Sequence, residues 1–93
     1  MKQLNDAVLD AWEALEGFAA GDDTIRIEDV RRDLCRAATL AGDVIEDDRS
    51  RSADVFNART IEMWATVSLG ALRAVEKGCV PRHRLMVEDS EVG

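Results

Sequence analysis

Apolar residues recur along most of this chain at intervals of three and four, the period of an α-helix, and polar runs interrupt that recurrence twice. Leu4, Val8, Ala11, Leu15 and Phe18 form the first row, with Ala7, Trp12 and Ala19 on its shoulders. They predict a helix from about Lys2 to Ala20, with Gly21 as the left-handed residue beyond its end. Asp23 or Thr24 can cap the next helix. This second helix is expected over Ile27 to Asp47, on the row Ile27, Val30, Leu34, Ala37, Ala41 and Val44, widened by Ala38 and Ile45. Its middle is built of small residues that let a neighbouring helix come close.

The third row is the richest. Phe56, Thr60, Met63, Val67, Gly70 and Ala74 alternate by four and three, and Ile61, Trp64, Ala65, Ser68, Leu72 and Val75 fill the flank. Only Arg59, Glu62, Thr66, Arg73 and Lys77 form a stripe suited to water. A helix that is apolar over most of its circumference must be covered from more than one side. The expectation is therefore that the third helix, from about 52 to 78, is the central one. The row from Phe56 to Ala74 is then its core face, and Met63→Asp or Val67→Asp should unfold the domain. The apolar surplus further predicts a homodimer through this helix.

Between the second and third rows lies Glu46 to Ser52, with no apolar residue. The rows restart out of phase across it, which predicts a break with Ser52 as the next N-cap. Gly78 ends the third helix and Cys79-Val80-Pro81 cannot extend it. A basic cluster, Arg82-His83-Arg84, a short apolar run, Leu85-Met86-Val87, and an acidic end frayed over Glu88 to Gly93 complete the chain. The fold expected is all-α: a small up-down-up three-helix bundle at residues 1–78, with a short extended C-terminal tail at 79–93. The 93 residues suit one domain.

Charge narrows the function. The net charge is −7. Residues 1–25 carry Lys2 against Asp6, Asp10, Glu13, Glu16, Asp22 and Asp23, a net −5, while the rest of the chain is nearly balanced. Direct nucleic-acid binding needs a basic stripe, and none is present. A protein with a basic surface is the natural complement of the first helix. The longest charge-free run is too short for a membrane span, and the N-terminal residues lack a signal core. Cys35 and Cys79 have no metal-binding spacing and read as reduced thiols of a cytoplasmic protein.

Groups for catalysis do not assemble along the sequence. His83 is the only histidine and sits between two arginines with no residue placed to orient it. One carboxylate pattern, Glu13-x-x-Glu16 followed by Gly42-Asp43-Val44-Ile45, resembles part of the all-helical nucleotide pyrophosphohydrolases of the MazG type. That resemblance implies magnesium held by carboxylates on facing helices. It covers about half of the chain, and Leu40 stands where the first acid of the family's later pair belongs.

The remaining features favour a non-enzymatic interaction module without cofactor or metal. Leu9 and Trp12 among Asp6, Asp10, Glu13 and Glu16 make an apolar centre with an acidic rim, the usual build of a hot spot for a basic partner. Trp64 is expected in the core. Small acidic inhibitors encoded by phages, anti-CRISPR proteins among them, are similar in size and charge. On that reading the chain inhibits a nucleic-acid-binding protein. A helical adaptor or dimerisation module is the alternative.

Overall fold

The computed structural model describes residues 2–86, and within them the chain is three α-helices and a short 3-10 turn. Helix α1 spans Lys2–Ala19, α2 Ile27–Glu46 and α3 Ser52–Glu76, and the 3-10 turn is Arg82–Met86. They form the expected up-down-up bundle, without a strand among the described residues. The acidic end expected at Glu88 to Gly93 lies outside the described residues, as does Val87.

Both glycine stops work as the sequence indicates. Gly21 and Gly78 adopt φ of +95° and +78°. After α1, Gly21 N–H donates to Phe18 O and Asp22 N–H to Gly17 O; after α3, Gly78 N–H donates to Val75 O and Cys79 N–H to Ala74 O. Each is a Schellman pair that satisfies carbonyls the helix end leaves open. The starts differ from expectation. Arg26, and neither Asp23 nor Thr24, occupies the N-cap of α2, and its N–H donates to the Asp29 carboxylate at 3.3 Å. Thr24 instead closes the turn: its N–H and hydroxyl both donate to Asp22 Oδ1, at 2.9 and 2.6 Å. Arg51, one residue before Ser52, is the N-cap of α3, and its side chain makes no capping hydrogen bond. The break before α3 is held by Ser50, whose hydroxyl donates to Val44 O at 2.8 Å.

Packing places α2, and not α3, at the centre. Helix α2 lies along both of its neighbours, whereas α1 and α3 share far less surface. At one end of the bundle Ala11, Leu15 and Phe18 of α1 meet Val30 and Leu34 of α2, and Ala65 and Leu72 of α3. At the other end Leu4, Ala41 and Ala58 meet, one from each helix. The antiparallel register follows from these two levels. Ala37, Ala41, Ala58 and Ala65 are all fully buried, so α2 and α3 approach with little side chain between them.

This close approach reverses the expected orientation of α3. Its buried positions are Ala58, Ala65, Ser68 and Leu72. The row expected to be core faces away from the bundle: Phe56 is 71% exposed, Met63 68% and Val67 67%. The physical reason is fit. The alanine surface of α2 accepts small residues at van der Waals distance, and phenylalanine or methionine on that face would hold the helices apart. The expectation that Met63→Asp or Val67→Asp unfolds the domain falls with this orientation, since neither side chain contributes to the core.

The segment after α3 also packs. The Arg82–Met86 turn lies against α1, with Leu85 on the core and the Arg82 guanidinium 4.8 Å from the Phe18 ring centre. A cation over an aromatic face is attracted by the ring's quadrupole. Arg82 also stands 3.9 Å from Asp23, so residues after α3 tie down the turn between α1 and α2.

Candidate interaction surfaces

The acidic residues of α1 stand on its outer side, as a wheel of 100° per residue requires once Leu4, Ala7, Ala11, Leu15 and Phe18 point inward. Asp6, Asp10, Glu13 and Glu16 are all exposed. Leu9 stands among them at 58% exposure, an apolar side chain with no core role. Two of the six candidate residues turn to the edges of that face. Asp10 leans toward α2, where its carboxylate lies 3.7 Å from Arg36. Trp12, 43% exposed, leans toward α3 and meets Trp64 with ring centres 6.1 Å apart and planes tilted by 33°. That tilted contact suits the aromatic quadrupoles. Trp64, expected in the core, is only half-buried: it packs against the core from its edge and also lines the open groove beside Trp12.

Beside this pair the bundle is open. Val8, Trp12, Thr60, Ile61 and Trp64 line an apolar groove of about 310 Å³ between α1 and α3. It continues Leu9's apolar character around the helix, so the acidic rim borders a larger apolar centre than the sequence suggested. A second groove, about 530 Å³, runs between the end of α2 and the outer side of α3, lined by Ile45, Arg59, Glu62, Met63, Thr66 and Val67. It is continuous with the exposed row of α3.

The carboxylates of the magnesium-binding resemblance are not brought together. The register that sets Asp10 beside Arg36 and Leu4 beside Ala41 puts Glu13 and Glu16 level with residues 30–33 of α2. Asp43 then lies about 15 Å or more further along the axis, at 1.5 Å per residue. Among the described residues no three of His, Cys, Asp or Glu are grouped closely enough to hold a metal ion. Cys35 and Cys79 are exposed and unpaired. None of the helices described is long and apolar enough to cross a membrane.

Among the described residues two exposed carboxyls are visibly tuned. The Thr24 hydroxyl, then the Thr24 N–H, holds Asp22 below the ordinary carboxylate range. The Arg49 N–H does the same for Asp47, reinforced by the charge and side-chain hydrogen bond of Arg49. Both are turn residues stabilised in the charged form by local hydrogen bonds, and Asp47 lines an open groove of about 330 Å³ with Asp43, Arg49, Ser50 and Asp54.

Comparison with protein families, with curated protein sequences and with solved structures returned no match in any of the three.

Proposed function

We propose that this chain is a non-enzymatic helical interaction module acting in the cytoplasm. Its α1 surface docks onto a basic protein, most concretely a nucleic-acid-binding protein whose groove it occludes, in the manner of small phage-encoded inhibitors such as anti-CRISPR proteins. The observation that carries the reading is the composition of one face. Exposed Leu9 stands among Asp6, Glu13 and Glu16, with Asp10 at the α2 edge, and the apolar groove at Trp12 and Trp64 borders this acidic face on its α3 side. Exposed apolar surface rimmed by one sign of charge marks protein interfaces more often than idle surface, and the acid steers a basic partner toward it. A pyrophosphohydrolase reading draws no support from Glu13 and Glu16, which stand apart from Asp43 along the bundle.

The test is capture from a host lysate by the parent chain and by a variant carrying Asp6→Lys, Asp10→Lys and Glu13→Lys. The parent is expected to retain a basic nucleic-acid-binding protein, to release it to competing nucleic acid and to lose it as salt rises. The triple variant keeps its helicity and retains nothing. Equal retention by both chains overturns the proposal.

The adaptor alternative has its own observation, the exposed row of α3. Such a module needs an apolar docking face and no acidic surface, so it survives if the triple variant binds like the parent.

A further inference from the structure

We infer that the outward row of α3 pairs with the same row of a second copy, antiparallel, about a two-fold axis level with Ala65. The inference stands apart from the α1 reading, on the outward face of α3, and shares only Thr60 with the groove between α1 and α3.

The row is Phe56, Thr60, Met63, Val67, Gly70 and Ala74, which alternates strictly by four and three. That is the spacing of a coiled-coil seam, in which each side chain seats between residues of the facing helix. Within the same heptad frame Ala58, Ala65 and Leu72 recur every seven residues on the opposite side, and all three are fully buried in the chain's own bundle. Helix α3 therefore carries two seams. One is occupied by α2, and the other is open from Phe56 to Gly70, with Ala74 half-buried at its end.

Three features of the open seam identify its occupant. The first is size matching. Large residues fill its first half and small ones its second, so a parallel pair would set Phe56 on Phe56 and leave a void at Gly70. Turned antiparallel about Ala65, Phe56 faces the second copy's Ala74, Thr60 faces the second copy's Gly70, and Met63 faces the second copy's Val67. The spread of volume between levels is then narrower than in a parallel pair, with the thinnest level at Thr60 and Gly70, which favours close packing. The second feature is Gly70. A glycine inside a helix costs about 0.5–1 kcal/mol relative to alanine, and a Cβ built there meets nothing within 4 Å. The fold of the single chain has no use for a bare backbone at that point, whereas a partner helix bearing Thr60 does.

The third feature is charge. Two copies of a protein with net charge −7 repel, and they can meet most easily where the field is weakest. Helix α3 and the residue after it carry Arg59, Arg73 and Lys77 against Asp54, Glu62 and Glu76, a net charge of zero. The acid of α1 points elsewhere. Antiparallel helices also align their macrodipoles favourably. The seam of 19 residues is about 28 Å long, which places the pair toward the low end of specific interfaces and makes association dependent on concentration. The pair would display two acidic α1 faces, a bivalent arrangement that raises the avidity for a basic partner with two sites.

The test uses the full chain with Cys35→Ser and Cys79→Ser, carrying Met63→Cys in one preparation and Val67→Cys, with a size tag, in another. Sedimentation of the parent is expected to show a dimer at high micromolar concentration. Mixed and oxidised, the two preparations should form the disulfide between positions 63 and 67 in preference to either like-with-like product, since a disulfide joins only residues whose Cα atoms stand within about 7 Å. Predominant like-with-like products would mean parallel pairing and overturn the register. A chain that stays monomeric throughout overturns the proposal. Met63→Asp, with Val67→Asp as a second variant should the first misfold, is expected to keep native helicity and weaken association at least tenfold, corresponding to about 1.4 kcal/mol. Dimerisation unaffected by either charge also overturns it. None of these variants touches α1, so capture of a basic partner by a monomeric Met63→Asp chain remains readable on its own.

Discussion

The two faces of α3 invert the usual association of large apolar residues with the core. The inner face is Ala58, Ala65, Ser68 and Leu72, and the outer face holds Phe56, Met63 and Val67. By side-chain hydrophobicity alone the outer face would be buried first. What decides is the facing surface. Helix α2 offers Ala37 and Ala41, each fully buried, and a surface of alanines rewards close approach more than it rewards volume. Burial of a helix face is thus a property of a pair of faces, and a wheel drawn for one helix reports only half of it.

The largest expected effect separates the two faces directly. Leu72→Asp places a carboxylate at a fully buried position among apolar side chains, a cost of several kcal/mol, and should leave the domain unfolded at room temperature. Met63→Asp on the outer face should change the stability of the monomer by no more than about 0.5 kcal/mol. Circular dichroism melts of both variants at low micromolar concentration check the pair. Equal damage from the two would mean that α3 is turned the other way.

Truncation gives the same contrast with smaller magnitudes. Leu34→Ala, in the level shared by all three helices, should cost about 2–5 kcal/mol through lost transfer energy and the cavity left behind. Val67→Ala should be close to neutral in the monomer, because Val67 is two-thirds exposed. Denaturant titrations with unchanged slope would measure both. A loss at Val67 comparable to that at Leu34 would show the outer row to be covered within a single chain.

Glycines sharpen the comparison further. Gly70→Ala on the outer face has open space around the new methyl and should raise monomer stability by about 0.5–1 kcal/mol. Gly17 on α1 is the inner counterpart. A Cβ there would overlap the end of the Ile25 side chain, and Ile25 packs on the core. Gly17→Ala therefore has to displace Ile25 and should bring no gain. Thermal melts at low concentration resolve the two signs, and stabilisation by both would argue that Ile25 moves freely.

The parts of the fold visible in the sequence are those set by local chemistry. Gly21 and Gly78 end helices because the left-handed conformation carries no Cβ penalty there, and the row from Leu4 to Phe18 faces inward because α1 is polar on its other side. Leu9 and Glu13 are exposed for the same reason. Neither the face of α3 nor the centrality of α2 is local. Both depend on the alanine-to-alanine approach of two helices, and α3 has apolar residues on either side of it. The sequence does hold a clue, the sevenfold recurrence of Ala58, Ala65 and Leu72 opposite a helix rich in alanine. The groove at Val8, Trp12 and Trp64 was hidden because its walls come from two helices far apart in sequence. Helix starts at Arg26 and Arg51 depart from the preferred caps, and the side chains of Thr24 and Ser50 are engaged in the flanking turns instead, with Asp22 and Val44 O.

The smallest effect concerns the turn that delivers Ile25 to the inner core. Asp22 accepts from the Thr24 hydroxyl and N–H, and these bonds lower its pKa below the ordinary value, with the positive charge of Arg82 adding a little. A carboxyl whose folded pKa is depressed binds its proton more readily in the unfolded chain. Its contribution to stability is therefore complete above the unfolded value of about 3.9 and lost as the pH falls through the folded value. Asp22→Asn removes the charge but leaves a carbonyl that can still accept from Thr24. The variant should melt slightly below the parent at neutral pH. The difference should shrink through the acid range and vanish once both chains carry a neutral group at this position. Thr24→Val, which removes the hydroxyl and keeps the N–H, should lose part of the same pH-dependent increment. Calorimetry from neutral pH into strong acid reads all three chains. A gap between parent and Asp22→Asn that widens on acidification would reverse the sign and rule out the Asx turn as the source of the stabilisation.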